Sequence, residues 1–371
     1  MPFGLYLHIP FCVRKCGYCD FNSHASTGEL HEAYLEALLQ DLDRVREQYG
    51  PTELDTVFIG GGTPSLFTPA QIGAILDRVA RDFRLAAREI TMEANPGTVE
   101  RHDFAGYRKA GVTRVSMGAQ SFDPAELALL ERIHSPGEIA SAVRAVRAGG
   151  IENLNLDLMF ALPGQTLAGW TRNVERAAEL GPDHLSAYNL TFEEGTEFGK
   201  RRSRGELAEK SEDEQVDFLH ATAGLLAAAG YPRYEISNFA RPGRECAHNL
   251  KYWRREPVLA AGAGATGFDG RRRWSNVRSP LEYIRRAKSG EPLAAFEEEP
   301  DAGQAMIETV MCGLRLREGL PGGLLRATFP RTVRMAVERG LLAGRNDSLA
   351  LTDEGIVISN ALFAEFAKEL A

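Results

Sequence analysis

Short apolar runs alternate with longer segments of helical periodicity through the first half of the chain. Strand-like runs occupy residues 4–9, 55–59, 89–93, 112–117, 153–159 and 184–190. Between them apolar residues recur every three or four positions, as in Ile72, Ile75, Leu76, Val79 and Phe83, which is the repeat of one helix face. Thr68-Pro69-Ala70-Gln71 and Ser135-Pro136-Gly137-Glu138 each place a hydroxyl cap before Pro at the first helical position, with Gln or Glu closing the capping box. Gly149-Gly150 ends the second of these helices. Asp123-Pro124-Ala125-Glu126 and Ser211-Glu212-Asp213-Glu214 are similar starts. Six β-α units in succession predict a parallel sheet with right-handed crossovers. The expected fold is α/β, a partial (β/α)6 barrel over residues 1–240.

The pattern changes after residue 300. Met306, Val310, Leu314 and Leu316 begin a helical region. Leu341-Leu342, Leu349-Ala350-Leu351-Thr352 and Gly355-Ile356-Val357 predict a short hairpin and a final helix. Residues 301–371 are expected to form a small domain covering the barrel mouth, with residues 241–300 linking it to the barrel. No internal repeat or low-complexity tract interrupts this order.

In a barrel of this kind, functional groups belong at the C-terminal ends of the strands. Polar residues fall there repeatedly. Cys12, Cys16 and Cys19 follow the first strand, and Gly60-Gly61-Gly62-Thr63-Pro64 follows the second. Glu93 ends the third, Gln120 follows the fourth, and Asp157 lies in the fifth. Any one of them could be a turn glycine or a satisfied polar group; together they outline a site. The C-x3-C-x2-C run suits an iron–sulfur cubane, in which each thiolate holds one iron. Such clusters normally take four cysteines, so three leave one iron open to another ligand. A zinc knuckle completed by Asp20 or His24 competes, although zinc spacings are usually paired Cys-x-x-Cys or Cys/His sets.

Composition narrows the setting. The chain of 371 residues is 44% hydrophobic and 25% charged, as in ordinary globular proteins. Its net charge of −8 argues against a broad nucleic-acid surface. Five cysteines, an odd number, and no basic-then-apolar leader argue against a secreted disulfide framework. No apolar run reaches the ~18 residues of a membrane helix. A cytoplasmic protein without a transmembrane segment is expected, with peripheral membrane association left open.

The cysteine loop resembles that of the radical-SAM superfamily. The resemblance implies a [4Fe-4S] cluster on Cys12, Cys16 and Cys19 whose open iron takes the amino and carboxylate groups of S-adenosylmethionine (SAM). It also implies that Gly61, Gly62 and Thr63 admit the SAM amino end. Glu93, Gln120, Arg132 and Asp157 would complete the SAM pocket, with Tyr6 and Tyr18 packed near the cluster. Three further stretches resemble the oxygen-independent coproporphyrinogen III oxidase group: Tyr6-Leu7-His8-Ile9-Pro10-Phe11-Cys12, Arg114-Val115-Ser116-Met117-Gly118, and Leu156-Asp157-Leu158 ahead of Leu162-Pro163-Gly164-Gln165-Thr166.

That group holds a decarboxylase branch and a heme-chaperone branch. The decarboxylase pattern has a fourth Cys two residues after the third, where this chain has Phe21, and a long segment before the cysteines, where this chain has eleven residues. His248-Asn249-Leu250-Lys251-Tyr252-Trp253 resembles the heme-binding motif of the chaperone branch. It implies an axial His248 with Tyr252 and Trp253 against the ring, and Arg271, Arg272 or Arg273 near the propionates. Alone, the same run reads as a capped turn with an aromatic anchor. Cys246 is either a second ligand or an ordinary buried thiol. The C-terminal region resembles the group's winged-helix-like domain but lacks a basic recognition helix. The expectation is a heme chaperone that passes heme to an acceptor protein the sequence does not name. The alternative is an oxygen-independent coproporphyrinogen III oxidase, and a third reading is a heme-modifying radical methyltransferase.

Overall fold

The computed structural model describes residues 1–97 and 103–370. Six strands run parallel and neighbour one another in chain order: β1 (Phe3–Ile9), β2 (Glu53–Gly61), β3 (Arg84–Ala94), β4 (Arg114–Gln120), β5 (Asn153–Phe160) and β6 (His184–Asn189). Helices α1 (His31–Tyr49), α2 (Pro69–Asp82), α3 (Phe104–Ala110), α4 (Pro136–Ala148) and α5 (Leu167–Glu179) lie in the crossovers, and α6 (Glu212–Ala228) follows β6. The expected capping boxes form at Thr68/Gln71, Ser135/Glu138 and Ser211/Glu214.

Strand side chains alternate between two faces, and here the faces differ in chemistry. Leu5, Leu7, Ile9, Val57, Ile59, Leu154, Leu156 and Leu158 turn outward into one apolar core shared with the helices. The alternate positions turn inward and are largely polar: Glu93, Ser116, Asn155, Asp157 and Ser186 line a common cavity. Apolar outside and polar inside is the pattern of a barrel that holds a ligand.

The sheet is larger than six strands. β7 (Asn238–Ala240) pairs antiparallel with β6 at one edge. At the other edge β8 (Val258–Ala261) pairs parallel with β1, and β9 (Thr266–Phe268), β10 (Arg273–Asn276) and β11 (Ala294–Glu298) continue antiparallel, giving eleven strands. Residues 241–300, expected to be a linker, thus supply α7 (Ala247–Trp253) and four strands of the main sheet. These strands are three to five residues long, too short to carry a periodic signal. The C-terminal region adds α8 (Ala302–Gly313) and a three-stranded sheet of β12 (Leu320–Pro321), β13 (Leu342–Arg345) and β14 (Ser348–Leu351). It is built around its own core, with Val310, Leu325, Phe329 and Phe366 buried together. The expected hairpin is β13–β14, and the final helix is Ser359–Leu370.

One buried carboxylate ties the added strands to the barrel. Asp41 on α1 accepts hydrogen bonds from Gly262 N (2.9 Å), Asn276 Nδ2 (3.1 Å) and the Tyr283 hydroxyl (2.8 Å). Burial pushes its pKa up to about 6 against these bonds. Asp41→Ala leaves the Gly262 N–H and the Tyr283 hydroxyl without that acceptor, Asn276 keeping only Gly262 O, and should lower unfolding stability by about 3 kcal/mol. Denaturant unfolding followed by tryptophan emission checks this; an unchanged midpoint would show that the added strands fold independently of α1.

Candidate functional site

The cysteine loop leaves β1 through Pro10 and is pinned at its base. Phe11–Cys12 pairs with His24–Ala25, and His24 N donates to Pro10 O at 2.7 Å. Asn22 Nδ2 donates to Ala263 O and Arg278 O at 2.9 and 3.0 Å, holding the loop to the added strands. The β1–β2 register sets Ile9 opposite Gly61, so the glycine run lies directly beneath the loop. Gly61 has φ 117°, and a Cβ on it would sit 2.5 Å from the His8 ring; one on Gly62 would sit 2.6 Å from Phe11 O. Side chains there would displace the loop.

Cys12, Cys16 and Cys19 are free, partly exposed thiols. They share the lining of one cavity of about 140 Å³ with Tyr18, Gly61, Gly62, Thr63, Glu93, Gln120, Arg132 and Asp157. Thr63 Oγ1 donates to Cys12 Sγ at 3.6 Å, Arg132 Nη1 donates to Cys16 Sγ at 3.5 Å, and Cys19 Sγ meets Ser23 Oγ at 3.7 Å. Burial raises the Cys12 pKa, and the neighbouring thiols add to the rise. Among the described residues no three His, Cys, Asp or Glu side chains converge to hold a single metal ion. Three thiols spaced around one cavity could each take one iron of a polynuclear cluster.

A second cavity of about 460 Å³ adjoins the first and is lined by Tyr6, Tyr18, Glu93, Gln120 and Asp157, with His248 and Tyr252. Every SAM-pocket residue named from sequence therefore borders one or both cavities. Glu93 Oε2 accepts the Gly61 N–H at 2.9 Å. Burial, with Asp157 facing it, pushes its pKa up to about 7. Asp157 accepts from Asn155 Nδ2 at 2.7 Å and Ser116 Oγ at 3.4 Å, and burial raises its pKa as well. Gln120 ends β4 at φ 65°, uncommon for a side-chain-bearing residue and often found at functional positions. Arg132 Nη2 donates to Gly118 O at 2.7 Å, while its buried Nε has no partner.

The structure divides the His248–Trp253 run between two faces of α7. His248 and Lys251 point inward and are fully buried. His248 is hydrogen-bonded to Thr56 Oγ1 at 2.9 Å and to the Tyr252 hydroxyl at 3.1 Å, so both ring nitrogens are engaged. Burial, with Lys251 close by, pushes its pKa down to about 3. Lys251 Nζ pairs with Asp55 and Glu256. Trp253 faces the interdomain side, and Tyr252 stands between the two, bonded to His248 and bordering cavities on both sides. Cys246 is a buried thiol donating to Glu89 Oε1 at 3.4 Å. Arg271, Arg272 and Arg273 are paired with Glu299, Glu297 and Glu298, and none lines the cavities that Tyr252 borders.

The Radical SAM superfamily model matches residues 6–177. Over 366 residues the chain is 40% identical to heme chaperone HemW of Mycobacterium tuberculosis (strain H37Rv), covering 97% of this chain and 94% of the relative. Over 382 residues it is 40% identical to heme chaperone HemW of Escherichia coli (strain K12), covering 99% of each. The chain belongs to the HemW family. The crystal structure of coproporphyrinogen III oxidase (HemN) from Escherichia coli, described as a radical SAM enzyme, superposes with TM-score 0.84 over 99% of this chain and 90% of that one, at 23% identity. That likeness establishes the shared fold, including the C-terminal region.

In this HemW-family chain, some cavity residues escape motif reading. Asn155, Ser186 and Tyr188 also line the larger cavity, as do Arg114 and Ser116, which lie in a quoted motif but had no site role. Their signal is present once strand phase is known, because each lies on the inward alternation of β4, β5 or β6. Glu93 provides a pH test. Its folded pKa of about 7 lies above the usual 4.5, so its contribution to stability is complete below about pH 4.5 and is lost as pH rises through about 7. Before any cofactor is loaded, Glu93→Gln should be more stable than wild type by about 1–3 kcal/mol near about pH 8, the gap closing towards about pH 4.5. Thermal denaturation at both ends of that window checks it; equal shifts at both would place Glu93 in water.

Proposed function

We propose that the protein is a cytoplasmic heme chaperone that holds a [4Fe-4S] cluster and SAM in its barrel and delivers heme to an acceptor protein. The observation that carries the reading is the end-to-end likeness to HemW heme chaperones. It is supported by the position two residues after Cys19, which holds Phe21 and not a fourth cysteine. No described helix is long and apolar enough to cross a membrane, in keeping with a cytoplasmic site of action.

Cys12, Cys16 and Cys19 would hold three irons, and the bound cluster supplies an open iron for SAM and an electron for cleaving it. The remaining work falls to the chain. Arg132, beside Cys16, presents a guanidinium to the SAM carboxylate. Glu93 and the Gly61–Thr63 turn receive the amino end, and Asp157 and Gln120 receive the ribose. Tyr6 and Tyr18 wall the pocket against water.

Cys16→Ser should abolish the broad visible absorption of an anaerobically reconstituted cluster, which otherwise carries about four irons per chain. Asp157→Ala, Gln120→Ala and Arg132→Ala should keep that absorption and weaken SAM binding by about 1.5–3 kcal/mol each. Calorimetric titration decides this, and normal SAM binding by all three variants would move the pocket elsewhere.

The chaperone and oxidase readings separate on one preparation. The reconstituted protein, given SAM and reductant, should bind one heme per chain and should not turn over coproporphyrinogen III. Multiple turnovers to protoporphyrinogen IX, measured by porphyrin fluorescence, would replace the chaperone with the oxidase.

A further inference from the structure

Heme needs an accessible iron ligand and a flat apolar seat. His248 offers neither, being buried against Phe58 and Tyr252 with both ring nitrogens already hydrogen-bonded. The cavity it floors is also the one that the SAM-pocket residues line. The outward face of α7 is different. There Tyr252 and Trp253 form one wall of a cavity of about 1030 Å³ between the barrel and the C-terminal domain, at the upper end of ligand-site volumes. The opposite wall is Val357 and Ile358 of the C-terminal domain. Large apolar residues on both walls are open to solvent: Tyr188 by 39%, Tyr252 by 43%, Val357 by 38% and Ile358 by 43%. Facing apolar surfaces left uncovered mark a binding slot.

Two polar groups at the end of α8 complete it. The Arg315 guanidinium lies 5.8 Å from the Trp253 ring centroid and 5.2 Å from that of Phe363. Its Nε is buried without a hydrogen-bond partner, and its Nη2 makes one long bond, 3.4 Å, to Asn360. A guanidinium stacked on an aromatic face and short of acceptors is suited to a carboxylate. One turn earlier is Cys312, a free thiol in the same lining. No His or Met shares that lining, so Cys312 is its strongest iron ligand.

We propose, building on the heme-chaperone reading, that heme is carried in this interdomain slot, with its ring against Tyr252 and Trp253, Cys312 on the iron and Arg315 at a propionate. Ligation forms an iron–sulfur bond and releases the thiol proton to solvent, with no change in oxidation state. Thiolate is an established axial ligand of heme iron.

The test is hemin titration of the full-length, cluster-reconstituted protein with albumin as competitor. Wild type should bind one hemin per chain. Cys312→Ser should shift the Soret band and weaken binding by about tenfold or more. Ile358→Glu, at a solvent-open position, should weaken it by a similar factor while cluster absorption stays at the wild-type level. His248→Ala should leave the Soret position unchanged. Stoichiometric binding with wild-type spectrum and affinity in both Cys312→Ser and Ile358→Glu overturns the slot, as does a Soret shift confined to His248→Ala. Failure of wild type to bind hemin against albumin instead removes the chaperone reading itself.

Discussion

The parallel pairing of β1 with both of its neighbours governs the architecture. β1 lies between β2 and β8, so the loop leaving its end is held from two sides. From β2 come the glycines whose missing side chains let the loop settle, and from the β8 side come the carbonyls that fix Asn22. A slip of one residue in the β1–β2 register would exchange the inward and outward side chains of β1. Tyr6 and His8 would enter the helix-facing core, and the cysteines would lose their relation to Thr63. The position of three thiols is thus a property of backbone hydrogen bonding several residues upstream.

The barrel interior carries a compensated electrostatic load. Glu89, Arg114, Asp157 and His184 are drawn into one interior, where Glu89 and Asp157 act on the buried Arg114 guanidinium through space. Glu89 is satisfied by backbone N–H groups of Ala247 and His248 at 3.0 and 3.1 Å, so the start of α7 neutralises an acid from β3. Asn155 links Asp157 to His184, which continues to Tyr234. Such a network holds polar side chains in fixed directions at a low-dielectric site, where unsatisfied groups are costly.

Much of this was legible from residues alone. The six parallel strands are long and buried, and the helix starts carry complete caps, so local and tertiary preferences agree. The cysteines and Gly61–Thr63 are contiguous stretches, and Glu93, Gln120 and Asp157 lie at or near strand ends, where barrel topology alone predicts convergence. The rest depended on three-dimensional partners. β8 to β11 gain their strand character from β1 and from one another. The direction of His248 was equally unreadable: Gly4 of β1 leaves the space its ring fills, since a Cβ on Gly4 would lie 3.2 Å from His248 Cε1. Helical spacing places His248 and Lys251 on the same face, but only the packed barrel makes that face the inner one.

Tyr252 borders the barrel cavity, the interdomain cavity and a third opening beside Arg278. Its hydroxyl is bonded to His248, and through that ring to Thr56 in the sheet. One side chain is thus a wall shared by adjoining compartments. A molecule pressing on either side of the ring acts on the same torsion angles, and the hydrogen bond to His248 sets the resistance it meets. Were an occupant of one room to turn that ring, the affinity of an occupant of the other would change, and reciprocally by the same factor.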